Sequence, residues 1–197
     1  GERHSDQAGL GDWHVNREKF PNGLEPLISY VKQQGLQFGL WVEPEMVNPD
    51  SDLYRAHPDW IYHARDAVRT TSRNQYVLNL GLPEVEQFIL EMMDDLLTRH
   101  AIDYIKWDMN RAFSEPGVPK DQTDRQQELW KRHVDALYRI FDELRRLHPT
   151  VDFEACAGGG GRIDLGILSR TEQVWTSDNT DPLDRLQIQH DFSYAYN

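Results

Sequence analysis

Four apolar runs in this chain each end in a cluster of polar residues or glycines: "GLWVEPE" at 39–45, "YIKWDMN" at 104–110, "FEACAGGGGR" at 153–162 and "VWTSDN" at 174–179. Short apolar runs bounded by turn residues are buried strands, and stretches of helical periodicity stand between them. Strands alternating with helices pair in parallel through crossover connections, which leaves a doubly wound sheet or a (β/α) barrel. A doubly wound sheet collects its ligand groups mainly at one switch point, whereas a barrel enzyme gathers them from the carboxyl ends of many strands. Unusual polar residues at the end of all four runs therefore favour the barrel. A fifth run, "YVLNL" at Tyr76–Leu80, brings the count to about five parallel strands, and a closed barrel needs eight. The expected fold is α/β, a partial (β/α)8 TIM barrel, with residues 1–197 forming one part of a catalytic domain and strands missing on both sides.

The helices are read from apolar spacing. Leu24, Leu27, Ile28 and Val31 share one face of "LEPLISYVKQQG", which Gly35 terminates. Pro83 opens a helix whose stripe is Val85, Phe88, Ile89, Met92, Leu96 and Leu97. A long helix from about Arg125 to Leu147 carries Leu129, His133, Leu137, Phe141 and Leu144 at helical spacing, after a polar loop containing Pro116 and Pro119. "IDLGILSR" is a short helical stretch between the last two strands, and "EPEMVNPD" reads as a loop because of Pro44 and Pro49.

Charge and composition exclude several functions. A net charge of −12 is wrong for a duplex nucleic-acid binder, which needs a basic face. No apolar run is long enough to span a membrane, and "GERHSDQAGLGDWHVN" has no signal-peptide core. The single cysteine, Cys156, rules out an internal disulfide, which suits a cytoplasmic setting. No zinc spacing occurs, so neither metal nor cofactor is expected, and His133, on an apolar helix face, reads as a satisfied core histidine. Glu43 and Glu45 read as solvated, and Arg73 as a partner in a salt bridge.

The residues with chemistry to offer are Asp108 and Asp178, each at the end of a strand and next to a tryptophan. Two carboxylates on one rim, about 5–5.5 Å apart, are what a retaining glycosidase uses as nucleophile and acid/base. Lys106, on the same side of its strand as Asp108, is placed to lower the Asp108 pKa. Trp175 offers a wall for a sugar. On the residues alone, helix capping is an equally good account of both aspartates, and Asp181 and Asp184 compete with Asp178 for the acid role. The run "AGGGGR" admits two readings: an anion site completed by Arg162, or close approach of backbone to a neutral sugar. Cys156 lacks a partnered histidine and reads as a small strand-end residue rather than a nucleophile.

Taken together, "GLWVEPEMVNPDSDLYRAHPDW", "YIKWDMNR", "CAGGGGR" and "WTSDNTDPLDR" make the whole chain resemble the catalytic domain of glycoside hydrolase family 36, the melibiase-type α-galactosidases. The resemblance implies a retaining exo-α-galactosidase acting on terminal α-galactosyl groups of melibiose- or raffinose-type sugars. Asp108 would be its nucleophile and Asp178, not Asp181, its general acid/base. It also implies that Lys106 and Asn110 hydrogen-bond galactose hydroxyls, that Trp41 and Arg73 shape the pocket, and that Cys156 and Gly159 lie against the sugar. The family's flanking β-domains and its paired aspartates upstream of "GERHSD" are absent from this sequence, so the isolated segment is expected to be inactive. The complete enzyme is expected to be a homotetramer. Two alternatives stay open: a galactosyl transferase of the raffinose-synthase type, and a non-catalytic sugar-binding segment.

Overall fold

The computed structural model describes residues 3–63, 69–114, 117 and 127–196. Four strands, β1 (Gly39–Val42), β4 (Tyr104–Trp107), β5 (Asp152–Ala155) and β6 (Gln173–Val174), form a parallel sheet in the order β1-β4-β5-β6. Between β1 and β4 lie β2 (Met46–Val47), α2 (Asp52–Ala56), β3 (Tyr76–Val77) and α3 (Pro83–Arg99). The helix α1 (Glu25–Gln33) precedes β1, α4 (Leu129–Leu147) joins β4 to β5, α5 (Leu165–Leu168) joins β5 to β6, and α6 (Pro182–Ala195) follows β6.

Among the described residues the parallel sheet therefore has four strands rather than five. The run "YVLNL" instead supplies β3, which pairs antiparallel with β2 through Met46↔Val77 and Val47↔Tyr76. Both elements are buried. An apolar run reports that burial but does not say which neighbour shares its hydrogen bonds, and "EPEMVNPD", read as a loop, provides the partner.

The two faces of the sheet have different tasks. On one face Ile105, Trp107, Phe153 and Ala155 are buried against the helices, with the Trp107 and Phe141 rings 4.7 Å apart and Phe141 and Phe153 5.6 Å apart. α4 delivers Leu129, His133, Ala136, Leu137, Ile140, Phe141 and Leu144 to this core, the three-and-four spacing expected of its inward stripe. α3 begins at Pro83 as expected, and it buries Val85, Ile89, Met93 and Leu97. The expected start of the long helix at Arg125 and the loop prolines Pro116 and Pro119 lie outside the described residues. On the opposite face the register Trp41↔Lys106↔Glu154↔Gln173 lays polar and aromatic side chains in one row across all four strands.

One element escaped the periodicity reading. α6 leaves Leu183, Leu186 and Tyr194 largely exposed, so it carries no buried stripe to detect. Its signal was local: Asp181 caps it by accepting from the Leu183 and Asp184 N–H groups at 3.0 and 3.1 Å, and Pro182 opens it.

Candidate active site

One layer beyond the Trp41–Gln173 row, each strand ends and the chain turns across the sheet edge. Backbone hydrogen bonds continue the ladder by one residue: Asp108 N donates to Val42 O at 2.8 Å, Cys156 N to Trp107 O at 2.8 Å and Trp175 N to Ala155 O at 2.9 Å. This register sets Asp108, Cys156 and Trp175 beside one another because side chains repeat every second residue.

Asp108 is 6% exposed and surrounded by donors. Oδ2 accepts from Trp41 Nε1 at 2.9 Å and Asn110 Nδ2 at 2.7 Å, and Oδ1 accepts from the N–H of Met109 at 2.8 Å and of Gly158 at 3.3 Å. Burial alone pushes the carboxyl up, but hydrogen bonds from Trp41, the Cys156 thiol, Asn110 and Met109 outweigh it and hold the group below its ordinary range. Lys106, expected to do this, instead pairs its Nζ with Glu154 Oε1 at 2.7 Å and lies 4.1 Å from the centroid of the Trp175 ring. The reason is register: Lys106 stands opposite Glu154 on the adjacent strand, where a carboxylate is within closer reach. Cys156 is buried, and its thiol is pushed up to about 12 by burial and by the neighbouring Asp108.

Asp178 has the opposite surroundings. It is exposed, and its Oδ1 accepts from Trp175 Nε1 at 2.8 Å. Of the aspartates weighed for the acid role, Asp181 is the one that caps a helix, and Asp184 is engaged with Asn179 Nδ2 at 2.8 Å.

Between the two carboxylates runs the glycine turn. Gly158 and Gly159 have φ of 55° and 88°, and a Cβ on Gly159 would stand 3.0 Å from Ser177 Cα and 3.3 Å from Asp178 N. A Cβ on Gly160 would meet Thr176 O at 2.6 Å. The glycines therefore admit close approach by the 176–178 backbone, a partner the sequence did not reveal. The anion-site reading fails, because Arg162 turns inward and its Nη1 donates to Glu45 Oε1 and Oε2 at 2.8 and 3.1 Å.

Arg73 enters from the side. Its Nη1 donates to Asn110 Oδ1 at 3.2 Å, so Asn110 bridges Arg73 and Asp108. Arg73 and Asn74 have φ of 54° and 59° and form the centre of a two-residue turn closed by Ser72 and Gln75, at a cost of about 1–2 kcal/mol for each non-glycine residue. All eight expected site residues, Trp41, Arg73, Lys106, Asp108, Asn110, Cys156, Gly159 and Asp178, are thus joined directly or through one neighbour.

The sequence reading missed a buried layer beneath them. Glu43 and Glu45 are 1% and 0% exposed, not solvated. Glu43 accepts from Asn110 N at 2.7 Å and Gln75 Nε2 at 3.1 Å, and burial pushes its carboxyl up. Glu45 accepts from Trp107 Nε1 at 2.8 Å and His133 Nε2 at 3.0 Å as well as from Arg162. Burial pushes Glu45 up, yet Arg162, His133 and Trp107 together hold it at about 2. His133, bonded through Nδ1 to Tyr62 OH at 3.1 Å, is the satisfied core histidine its position implied. The signal for both glutamates was their alternation directly after an apolar strand. Among the described residues no three His, Cys, Asp or Glu side chains converge to hold a metal, and no helix is long and apolar enough to cross a membrane.

Comparison with known proteins gives a consistent match. The family model described as Melibiase matches residues 1–197. Alpha-galactosidase C of Emericella nidulans is 50% identical over 202 residues, a match covering 98% of this chain and 26% of that protein. The crystal structure of the alpha-galactosidase from Lactobacillus brevis superposes with a TM-score of 0.94 at 46% identity, over 98% of this chain and 26% of that one. A variant of the GH36 alpha-galactosidase AgaA from Geobacillus stearothermophilus, solved in complex with raffinose, gives a TM-score of 0.92 at 49% identity over 96% of this chain and 26% of that one. The chain spans about a quarter of the length of the relatives it matches.

Proposed function

The chain belongs to the melibiase family, and from that premise we propose that it supplies both catalytic carboxylates of a retaining exo-α-galactosidase, as one part of a longer (β/α)8 catalytic domain. Asp108 is the nucleophile and Asp178 the general acid/base. The observation that carries this assignment is the contrast between the two carboxyls at one sheet edge. Asp108 accepts hydrogen bonds on both its oxygens, from Trp41, Asn110, Met109 and Gly158, and Asp178 accepts one from the Trp175 indole. A nucleophile has to be ionised before substrate arrives, whereas an acid/base has to exchange protons between the two half-reactions.

In the first step Asp108 attacks the anomeric carbon of a terminal α-galactosyl group. The bond to the leaving oxygen breaks as that oxygen takes the proton of Asp178. In the second, Asp178 as carboxylate takes a proton from water, whose oxygen attacks the same carbon and displaces Asp108, restoring the α configuration. Lys106 and Asn110 supply hydrogen bonds to the sugar, Trp41 and Arg73 shape the pocket, and Cys156 and Gly159 lie against the sugar. The raffinose complex of the AgaA variant supports melibiose- and raffinose-type sugars as substrates. Resemblance alone extends this reading to a cytoplasmic homotetramer.

The test is Asp108→Ala and Asp178→Ala in the complete enzyme, each expected to lower turnover of an aryl α-galactoside at least about 10³-fold. Azide restores activity to the Asp108 variant by attacking from the vacated side, and the product is a β-galactosyl azide. Near-normal turnover by either variant would refute its role. Product analysis at high acceptor concentration separates hydrolysis from transfer.

A further inference from the structure

Glu45 lies outside the sugar site, yet it ties together the parts that build it. Its carboxylate, fully buried, joins Trp107 of β4, His133 of α4 and Arg162 at the end of the glycine turn. Trp107 immediately precedes Asp108. The turn that Arg162 ends reaches both aspartates: Gly158 N donates to the Asp108 carboxylate at 3.3 Å, and Gly159 packs against the backbone of Ser177 and Asp178. Four successive glycines have too much backbone freedom to hold this position themselves. An ion pair out of water, at the end of the run, does so because separating it would leave an uncompensated buried charge.

We propose that Glu45 is a positioning residue. Its ion pair with Arg162 locks the 157–162 turn and so fixes Asp108 and Asp178 relative to each other, without contact with the substrate. The inference rests on the roles assigned above to Asp108 and Asp178. It adds that the separation of the two groups is set from beneath, by a pair whose members stand 117 residues apart in sequence.

Two variants of the complete enzyme test it. Glu45→Gln keeps the side-chain shape and removes the charge; kcat is expected to fall on the order of 10²-fold, with KM changed by less than about threefold, as a displacement near 1 Å demands. The double variant Glu45→Gln with Arg162→Met removes both charges, so the Tm lost in the single variant is largely regained while kcat stays low. A structural role alone gives the other pattern, in which kcat recovers together with Tm, and that result overturns the proposal. So does a Glu45→Gln enzyme with wild-type kcat. An Asp108→Ala enzyme that still turns over fails the functional reading instead, and the two failures are separable because they appear in different variants.

Discussion

Trp41 Nε1 donates to Asp108 Oδ2 at 2.9 Å, linking the ends of two adjacent parallel strands that lie 67 residues apart in sequence. The indole is 42% exposed, so the same side chain holds the buried carboxylate with its N–H and presents a ring to solvent. Trp41→Phe keeps the ring and deletes the donor. The Asp108 carboxyl loses the first of the side-chain hydrogen bonds that keep it low, and the acidic limb of kcat/KM moves to higher pH. A hydrogen bond to a charged group is worth about 1.5–3 kcal/mol, so kcat/KM is expected to fall more at pH 5 than at pH 7. An unmoved acidic limb would show that Trp41 serves only as a wall.

Gly158 and Gly159 are adjacent and both left-handed, but they are not equivalent. A Cβ on Gly158 finds nothing closer than Asn110 Oδ1 at 3.9 Å, so Gly158→Ala is expected to cost only the αL penalty of about 1–2 kcal/mol. On Gly159 the Cβ would stand 3.0 Å from Ser177 Cα and 3.3 Å from Asp178 N, so the backbone that carries Asp178 has to give way. Gly159→Ala therefore lowers kcat on the order of 10²-fold, more than its loss of Tm accounts for. Equal effects of the two substitutions on kcat would contradict the contact.

The two buried glutamates give stability opposite pH dependences. Glu45 is held at about 2 against an ordinary 4.5, so its contribution is complete above pH 4.5 and is lost as pH falls towards 2. A shift of that size corresponds to roughly 3 kcal/mol. Glu43 is raised, so the cost of ionising it in the fold is absent below 4.5 and grows as pH rises through its folded pKa. Accordingly, the Tm of a Glu43→Gln enzyme, measured relative to wild type, increases between pH 4 and pH 8. A difference independent of pH would mean that Glu43 ionises in the fold without cost.

Arg73 is held in a strained conformation at the point where it reaches Asn110. Non-glycine residues are kept in the αL region where the surroundings or the function require them. Arg73→Gly releases the strain and removes the guanidinium. Thermal melts are expected to show an unchanged or higher Tm, while kcat/KM for an α-galactoside falls at least about tenfold through KM. A drop in Tm with kcat/KM intact would make the arginine a structural residue.

Much of this protein was legible from its residues. Apolar runs ending in "EPE", "DMN", "AGGGGR" and "SDN" announced parallel strands with a polar rim, because a short apolar run and the polar residues or glycines that end it are both local properties of composition. Helix stripes such as Leu129, His133, Leu137, Phe141 and Leu144 fixed one face of α4 for the same reason. The sequence also marked Asp108 and Asp178 as the carboxylates of interest, with capping an equal account on the residues alone; in the fold the cap of α6 is Asp181.

What the residues could not specify was pairing. Whether "YVLNL" joins the parallel sheet or a two-stranded ribbon depends on a partner about 30 residues away, and whether Lys106 faces Asp108 or Glu154 depends on the register of β4 against β5. Glu43 and Glu45 read as solvated because a carboxylate normally stays in water. Only the tertiary structure brings Arg162, His133 and Trp107 to Glu45, and those contacts offset the cost of taking its charge out of water.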